Sequence, residues 1–320
     1  MSKPKRPSAQ SLAQIFGELE RVDRIRSVCP DLGFTTQVSR CEEVQRRSLN
    51  RYCDVLAYDH SLLPTAAARG GRYYLNANLI PPFPFRSPPG PCYIASQAPL
   101  AHTLNEFYHH VCEQGVKVLV NLTPLVEGKK VKSDRYWPDA GLPSQHAGHE
   151  LSQGGKVELV SEEVVNKGEL VIRRLKVHRP KSRDVEAEQT EPHRFTQVHV
   201  SSWPDHGTFP IALFKELLLK EWERRSRRRK GSPPIWVHCS AGIGRSGTFI
   251  AAHMARSILR SYDDGSIMQL LDLPTRLVQH MRMYRPRMVQ TFEQFLALWE
   301  MVEDLKGDGD QIRGERMRGT

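Results

Sequence analysis

The chain of 320 residues contains no apolar run near the ~20 residues that a membrane-spanning helix needs, so no membrane span is expected. Its six cysteines, Cys29, Cys41, Cys53, Cys92, Cys112 and Cys239, form no C-x-x-C pair. That scatter argues against a disulfide framework or a zinc site and suits a reducing compartment. No H-E-x-x-H or similar cluster occurs among the thirteen histidines, so no metal and no cofactor are expected. No internal repeat is visible. The basic start, residues 1–7, is followed by no apolar segment, so a secretory leader is not expected and a cytoplasmic location is.

Acidic residues are the minority: 36 Asp and Glu stand against 46 Lys and Arg, a formal net charge of +10. The excess favours anionic partners, but much of it comes from one run, Arg224, Arg225, Arg227, Arg228, Arg229 and Lys230. That run reads as a solvated helix end and loop, with nuclear targeting or an acidic partner as the alternative. Nucleic acid is not an expected partner, and the chain is expected to be a monomer.

What is present is an alternation of helical and strand patterns. Leu12, Ile15, Phe16, Leu19 and Val22 recur at helical spacing, as do Ile211, Leu213, Phe214, Leu217, Leu218 and Trp222, and again Phe292, Phe295, Leu296, Trp299, Val302 and Leu305. Residues 42–49 and 103–113 predict two more helices. Residues 72–80, 93–97, 157–165, 169–177 and 195–201 alternate as strands. Residues 116–122 are almost wholly apolar, as in a strand covered on both faces. Residues 81–91, with six prolines, 139–155 and 179–193 read as loops or excursions. Residues 1–8 are expected to be disordered and residues 306–320 to fray. The mixture fits one α/β domain with a large mixed sheet.

The stretch 234–249 carries the most chemistry. Ile235 to Val237 predicts a buried strand, and the segment from Gly247 predicts a helix. Between them lie Cys239, glycines and Arg245. A strand, a glycine-bearing loop and a helix N-terminus form an anion cradle, and the field that holds a phosphate also stabilises a thiolate. Two other readings compete. Gly242, Gly244 and Gly247 spell the dinucleotide fingerprint, with Asp263 and Asp264 near the distance of a ribose-binding acid. The residues before those acids, 259–262, are not a second apolar strand, which disfavours it. A buried structural cysteine is the other alternative, but it would need neither His238 nor Arg245. Expelling an alkoxide or phenolate also calls for a general acid. Asp205, in Trp203-Pro204-Asp205-His206-Gly207, is placed to serve on a restrained loop, although the pentapeptide also reads as a plain turn. Gln290 and Gln294, before and at the start of the last helix, could orient a water.

From His238 to Gly247 the sequence matches the signature loop of the protein-tyrosine phosphatases at every position. Further segments resemble that family in order: Asn50-Arg51-Tyr52, Tyr74-Leu75-Asn76-Ala77, Tyr93-Ile94-Ala95-Ser96-Gln97-Ala98-Pro99-Leu100, the region of Glu127, Lys132 and Tyr136-Trp137-Pro138, Trp203-Pro204-Asp205, and Gln290-Thr291-Phe292-Glu293-Gln294. The resemblance implies a twisted mixed β-sheet flanked by helices, with a catalytic domain over 35–305, an N-terminal extension and helix over 1–34, and a disordered tail over 306–320. It implies hydrolysis of phosphotyrosine through a cysteinyl-phosphate, and phosphotyrosine-containing proteins as partners. Cys239 is then the nucleophile, its pKa depressed by the cradle, the helix dipole and a hydrogen-bonded His238. Ser240, Ala241, Gly242, Ile243 and Gly244 wrap the phosphate with their amides. Arg245 clamps two oxygens, Ser246 supports the departing thiolate, Asp205 is general acid and base, and Gln290 with Gln294 positions water. Glu127 pairs with Arg245, Lys132 contacts the closed acid loop, Tyr52 walls the pocket, and Asp54 accepts from the peptide backbone.

Four departures stand out. Cys53 replaces a frequent basic residue, Ala98 a usual glycine, and His206 an aromatic of some members. Arg287 is bulky where a glycine in some relatives opens a second phosphotyrosine pocket, so no such pocket is expected. Serine at 133, near a cysteine of some relatives, leaves a cyclic sulfenamide with the Ser240 nitrogen and a disulfide as equal oxidation products. Two other functions remain as alternatives: a catalytically weak phosphotyrosine-binding module, and a scaffold in which the domain is incidental. Lys3, Lys5 and Arg6 ahead of Leu12, Ile15 and Phe16 faintly resemble a docking site for a MAP kinase, but the core-helix reading of those apolar residues is preferred.

Overall fold

The computed structural model describes residues 6–63, 74–84, 90–138, 148–151, 155–165, 168–178, 191–203, 232–260 and 272–318. Asp205, His206, the helical pattern over 211–222 and the basic run 224–230 lie outside them.

The described strands are β1 (Ala77–Ile80), β2 (Tyr93–Ser96), β3 (Val118–Asn121), β4 (Val126–Glu127), β5 (Lys130–Val131), β6 (Gly148–Glu150), β7 (Lys156–Val165), β8 (Leu170–His178), β9 (His193–Val200) and β10 (Ile235–His238). Eight of them form one sheet in the order β1-β2-β10-β3-β9-β8-β7-β6, and β4 and β5 form a separate hairpin. β2, β10, β3 and β9 run parallel, while the flanking pairs are antiparallel, so the sheet is mixed as expected. β10 therefore lies at the parallel centre, and every residue of β10 and β3 is buried.

The described α-helices are α1 (Ala9–Val28), α2 (Gln37–Arg40), α3 (Glu42–Arg46), α4 (Leu104–Glu113), α5 (Gly244–Leu259), α6 (Leu273–Arg282) and α7 (Phe292–Arg318). Strand pleating splits the core between the two faces. Ile235 and Val237 join the cluster that includes α1, α5, α6 and α7, whereas Trp236 joins Phe107, Tyr108 and Val111 of α4.

The preferred core-helix reading of Leu12 and Phe16 holds, and the expectations that follow it are corrected. Leu12 is fully buried, and the Phe16 ring lies 6.0 Å from Phe292 and 5.5 Å from Phe295. Core packing thus occupies the apolar half of the kinase-docking pattern. Residues 6–8 are ordered: the Ser8 hydroxyl caps α1 by accepting from the Ser11 N–H at 3.1 Å, and Arg6 pairs with Glu300 at 3.3 Å. The helical stripe turns from Val22, which is exposed, to Asp23, which is buried. Residues 148–150 inside the expected 139–155 loop form β6. α7 continues to Arg318 through the expected tail, with Lys306 paired to Glu303 one turn back at 2.8 Å.

Candidate active site

The signature loop begins where the parallel strands end. The N–H of Leu122 donates to the His238 carbonyl and that of Ala98 to the Ser240 carbonyl, both at 2.9 Å, so the flanking strand ends hold it from both sides. Gly242 then takes φ +74°, and a Cβ there would lie 1.9 Å from the Ser96 carbonyl oxygen. Only glycine meets both conditions.

Arg285, fully buried, fixes how the loop's peptides face. Its Nη2 donates to the Ala241 carbonyl at 3.0 Å and its Nε to the Gly242 carbonyl at 2.8 Å. Drawing those carbonyls outward turns the N–H groups of Gly242 and Ile243 the opposite way. The Gly242 N–H lies 3.3 Å from Cys239 Sγ. Asn78 and Asn76 accept from Arg285 Nη1 and Nη2 at 2.8 and 2.9 Å. Burial lowers Arg285 to about 10, so it stays cationic at neutral pH.

Cys239 is buried, which by itself would push its thiol up. Arg245, the Ser246 hydroxyl and the N–H groups of Ser246 and Gly242 outweigh that, and the pKa falls below the ordinary thiol value. The thiol also sits just ahead of α5, whose N-terminal dipole favours an anion. The thiolate is therefore expected to form below the usual thiol range. Alkylation of Cys239 by iodoacetamide should reach its rate plateau there; a rate still rising through the ordinary range would contradict this site.

His238 is hydrogen-bonded to the Cys239 backbone carbonyl. Its Nδ1 faces the Cys239 carbonyl at 3.0 Å and must carry the proton; Nε2 then accepts from the Tyr136 hydroxyl at 2.7 Å. Burial lowers its pKa to about 3, so the ring is neutral and orients the backbone without supplying positive charge.

Arg245 is buried. Its Nη1 donates to the Trp203 carbonyl at 2.8 Å and lies 3.9 Å from Glu127, the expected ion pair. Lys132 pairs with the same carboxylate at 3.8 Å. Whether Lys132 also meets the acid loop falls outside the described residues, as does Asp205.

Tyr52 is tied to the loop. The Ser240 hydroxyl donates to the Lys132 carbonyl at 2.6 Å, so it accepts from the Tyr52 hydroxyl at 2.8 Å. The other resembling segments hold this wall in place. Gln97 accepts from the Arg51 N–H at 2.8 Å, and Tyr74 and Asn76 donate to the Asn50 side chain at 2.7 and 3.0 Å. Asp54 is exposed and pairs with Arg287 at 3.1 Å.

The two glutamines divide their work. Gln294 Oε1 accepts from the N–H groups of Gln290 and Thr291 at 2.9 and 3.2 Å, which fixes the start of α7. That acceptor is committed to the backbone, but Gln294 Nε2 lies 2.8 Å from where a Cβ on Gly244 would be, so its amide also borders the cradle. Gln290 Oε1 lies 3.3 Å from where a Cβ on Gly244 would be, placing its amide over the cradle.

Sequence reasoning missed Arg285, Arg282 and Asp23. Arg285 and Arg287 flank Pro286 just before Gln290, but nothing in that spacing says which arginine is buried.

A low-pKa thiol before a helix, inward amides and a buried guanidinium together make an environment that favours an anion. The comparisons agree. The sequence model of the Protein-tyrosine phosphatase family matches residues 46–304. The chain is 31% identical over 298 residues to Tyrosine-protein phosphatase 99A of Drosophila melanogaster, covering 92% of the chain and 21% of that protein. It is 34% identical over 286 residues to receptor-type tyrosine-protein phosphatase eta of Gallus gallus, covering 87% of the chain and 18% of that protein. It thus spans only a minor part of these relatives. The solved catalytic domain of human protein tyrosine phosphatase non-receptor type 18 superposes with a TM-score of 0.70 at 27% identity, covering 93% of this chain and 96% of that one. Trypanosoma brucei TbPTP1 gives 0.71 at 29%, covering 93% and 92%. The non-receptor type 18 enzyme has also been solved with HER2 phosphopeptides. The chain belongs to the protein-tyrosine phosphatase family. Among the described residues, no helix is long and apolar enough to cross a membrane.

Proposed function

We propose that the chain hydrolyses phosphotyrosine in proteins through a cysteinyl-phosphate. The observation that carries this is the buried Cys239 thiol, its pKa lowered by Arg245, beside an inward amide of a loop that Arg285 holds. In the first step the thiolate attacks phosphorus and the bond to the tyrosine oxygen breaks. Asp205 gives that oxygen its proton. Arg245 stabilises the charge on the transferring phosphoryl oxygens, and the cradle amides take the rest. In the second step Gln290 orients a water, Asp205 removes its proton, and the S–P bond breaks to restore the thiolate. Ser246 stabilises that leaving group.

Selectivity follows from reach. The Tyr52 ring walls a cleft with the thiol at its base, so an aromatic phosphate ester bridges the depth and packs on the ring. A phosphoserine or phosphothreonine is too short. Matched peptides should differ by at least about 100-fold in kcat/KM, the usual penalty for misplacing a reacting atom. Equal rates on phosphotyrosine and phosphothreonine peptides would remove this reading, and no turnover of p-nitrophenyl phosphate would favour the binding-only module. A second phosphotyrosine pocket is not proposed. Arg287 is engaged with Asp54, and Arg282 with Glu20 and Asp23.

A further inference from the structure

The residues just before Gln290 hold an unusual backbone. Arg287 has φ 57° and Val289 φ 60°, two of the three non-glycine residues at positive φ among those described. For a β-branched residue such as Val289 this conformation persists only when its surroundings impose it.

Three elements do so. The Val289 N–H donates to the Ile243 carbonyl of the signature loop at 3.1 Å. At Gly247 a Cβ would lie 2.3 Å from the Val289 nitrogen, so the segment presses directly on α5. On the other side, Arg282 of α6 is buried and donates through Nε to the Met288 carbonyl and through Nη2 to the Val289 carbonyl, both at 2.9 Å.

Arg282 is in turn held by α1. Its Nη1 lies 3.1 Å from Asp23, and its Nη2 lies 2.9 Å from Glu20. Asp23 also accepts from the Arg287 N–H at 3.1 Å, and Arg26 donates to the Arg282 carbonyl at 3.2 Å. Glu20, Asp23 and Arg26 are three residues apart and share one face of α1. A remote helix thus grips both ends of the strained segment that ends at Gln290.

We propose that Glu20 and Asp23 act through Arg282 as positioning residues for Gln290, and so set the rate at which the cysteinyl-phosphate is hydrolysed while leaving its formation alone. The inference rests on the water-positioning role given to Gln290 above. In the signature loop the Ile243 carbonyl accepts from Val289, but the Ala241 and Gly242 carbonyls are held by Arg285 and Arg245 is held by the Trp203 carbonyl, so loosening α1 spares the first step. A shifted Gln290 misplaces the attacking water.

The test is pre-steady-state release of p-nitrophenol from p-nitrophenyl phosphate, with quenched-flow measurement of phospho-cysteine breakdown. Glu20→Gln/Asp23→Asn keeps side-chain volume and removes both charges. It should slow breakdown and lower kcat about 10-fold, show a burst near one equivalent, and leave kcat/KM within about 2-fold of wild type. Glu20→Gln alone, at a half-exposed position, should shift the same quantities less and serves if the double variant does not fold. Gln290→Ala is the control. If it slows breakdown and the α1 variants do not, the proposal is overturned while Gln290 keeps its role. If Gln290→Ala leaves breakdown unchanged, the water-positioning role falls and takes the proposal with it. An equal fall of kcat and kcat/KM without a burst in the α1 variants would show general loosening of the domain and also overturn it.

Discussion

Cys239→Ser protein is expected to bind phosphotyrosyl peptides and to turn over essentially none of them. The exchange is close in volume, and the amides that Arg285 holds inward remain in place. What is lost is the attacking anion. Among the described residues no base is poised to ionise a serine hydroxyl there: His238 donates to the Cys239 carbonyl and accepts from Tyr136. Arg245 then keeps a phosphate receptor without a reactive centre. The expected loss in kcat is at least about four orders of magnitude, the scale on which nucleophiles are missed. Calorimetric titration with a phosphotyrosyl peptide, beside a turnover assay, checks both halves. Substantial residual turnover would end the covalent mechanism.

Arg245→Lys should be the next most damaging change, although it preserves charge. The guanidinium is buried, donates to the Trp203 carbonyl and lies within ion-pair distance of Glu127. Those contacts hold a planar fork whose other edge offers two parallel donors to the phosphoryl oxygens. An ammonium group supplies donors that diverge from a single nitrogen, on a shorter reach. It would still favour the thiolate electrostatically, so Cys239 alkylation should stay fast. The transferring phosphoryl would lose its bidentate clamp, and kcat should fall about 10³-fold or more, by analogy with other arginine clamps on phosphoryl groups. Single-turnover rates with p-nitrophenyl phosphate, set beside iodoacetamide kinetics, separate the two contributions. A loss below about 10-fold would mean that the amide ring does most of the charge stabilisation.

The central strands were legible in the residues because burial on both faces leaves a near-continuous apolar run, as in β3 and β10. The chemistry was legible because Cys239, Arg245 and the glycines between them lie within ten residues of one another. Less local features were not. The Gly242–Gly244–Gly247 spacing admits a dinucleotide reading until the packing explains it: Gly242 faces the end of β2, and Gly244 the two glutamines. That the Gln294 amide oxygen also caps the start of α7 has no local spacing to announce it. That His238 is buried and neutral, bonded to the Cys239 carbonyl and the Tyr136 hydroxyl, was likewise not legible. Asp23 fell off the apolar stripe of α1 and would pass for a surface residue. Its burial depends on Arg282, more than two hundred residues away in sequence. Such pairings belong to the tertiary fold and leave no local spacing to read.

The position of β10 also bears on when the site can exist. Its partners are β2 and β3, so Ile235 meets Tyr93 and Val118 across separations of more than about a hundred residues. Loop closure of that span carries its entropic cost before any contact repays it. β10 must slot between two strands made long before it, which makes its insertion a natural late event in folding. The cradle then needs Arg285, and the water site needs Gln290, both still later in the chain. A partly synthesised chain should therefore carry Cys239 as an ordinary thiol. The thiolate, and with it sensitivity to electrophiles, emerges only when the two ends of the domain have closed on the middle.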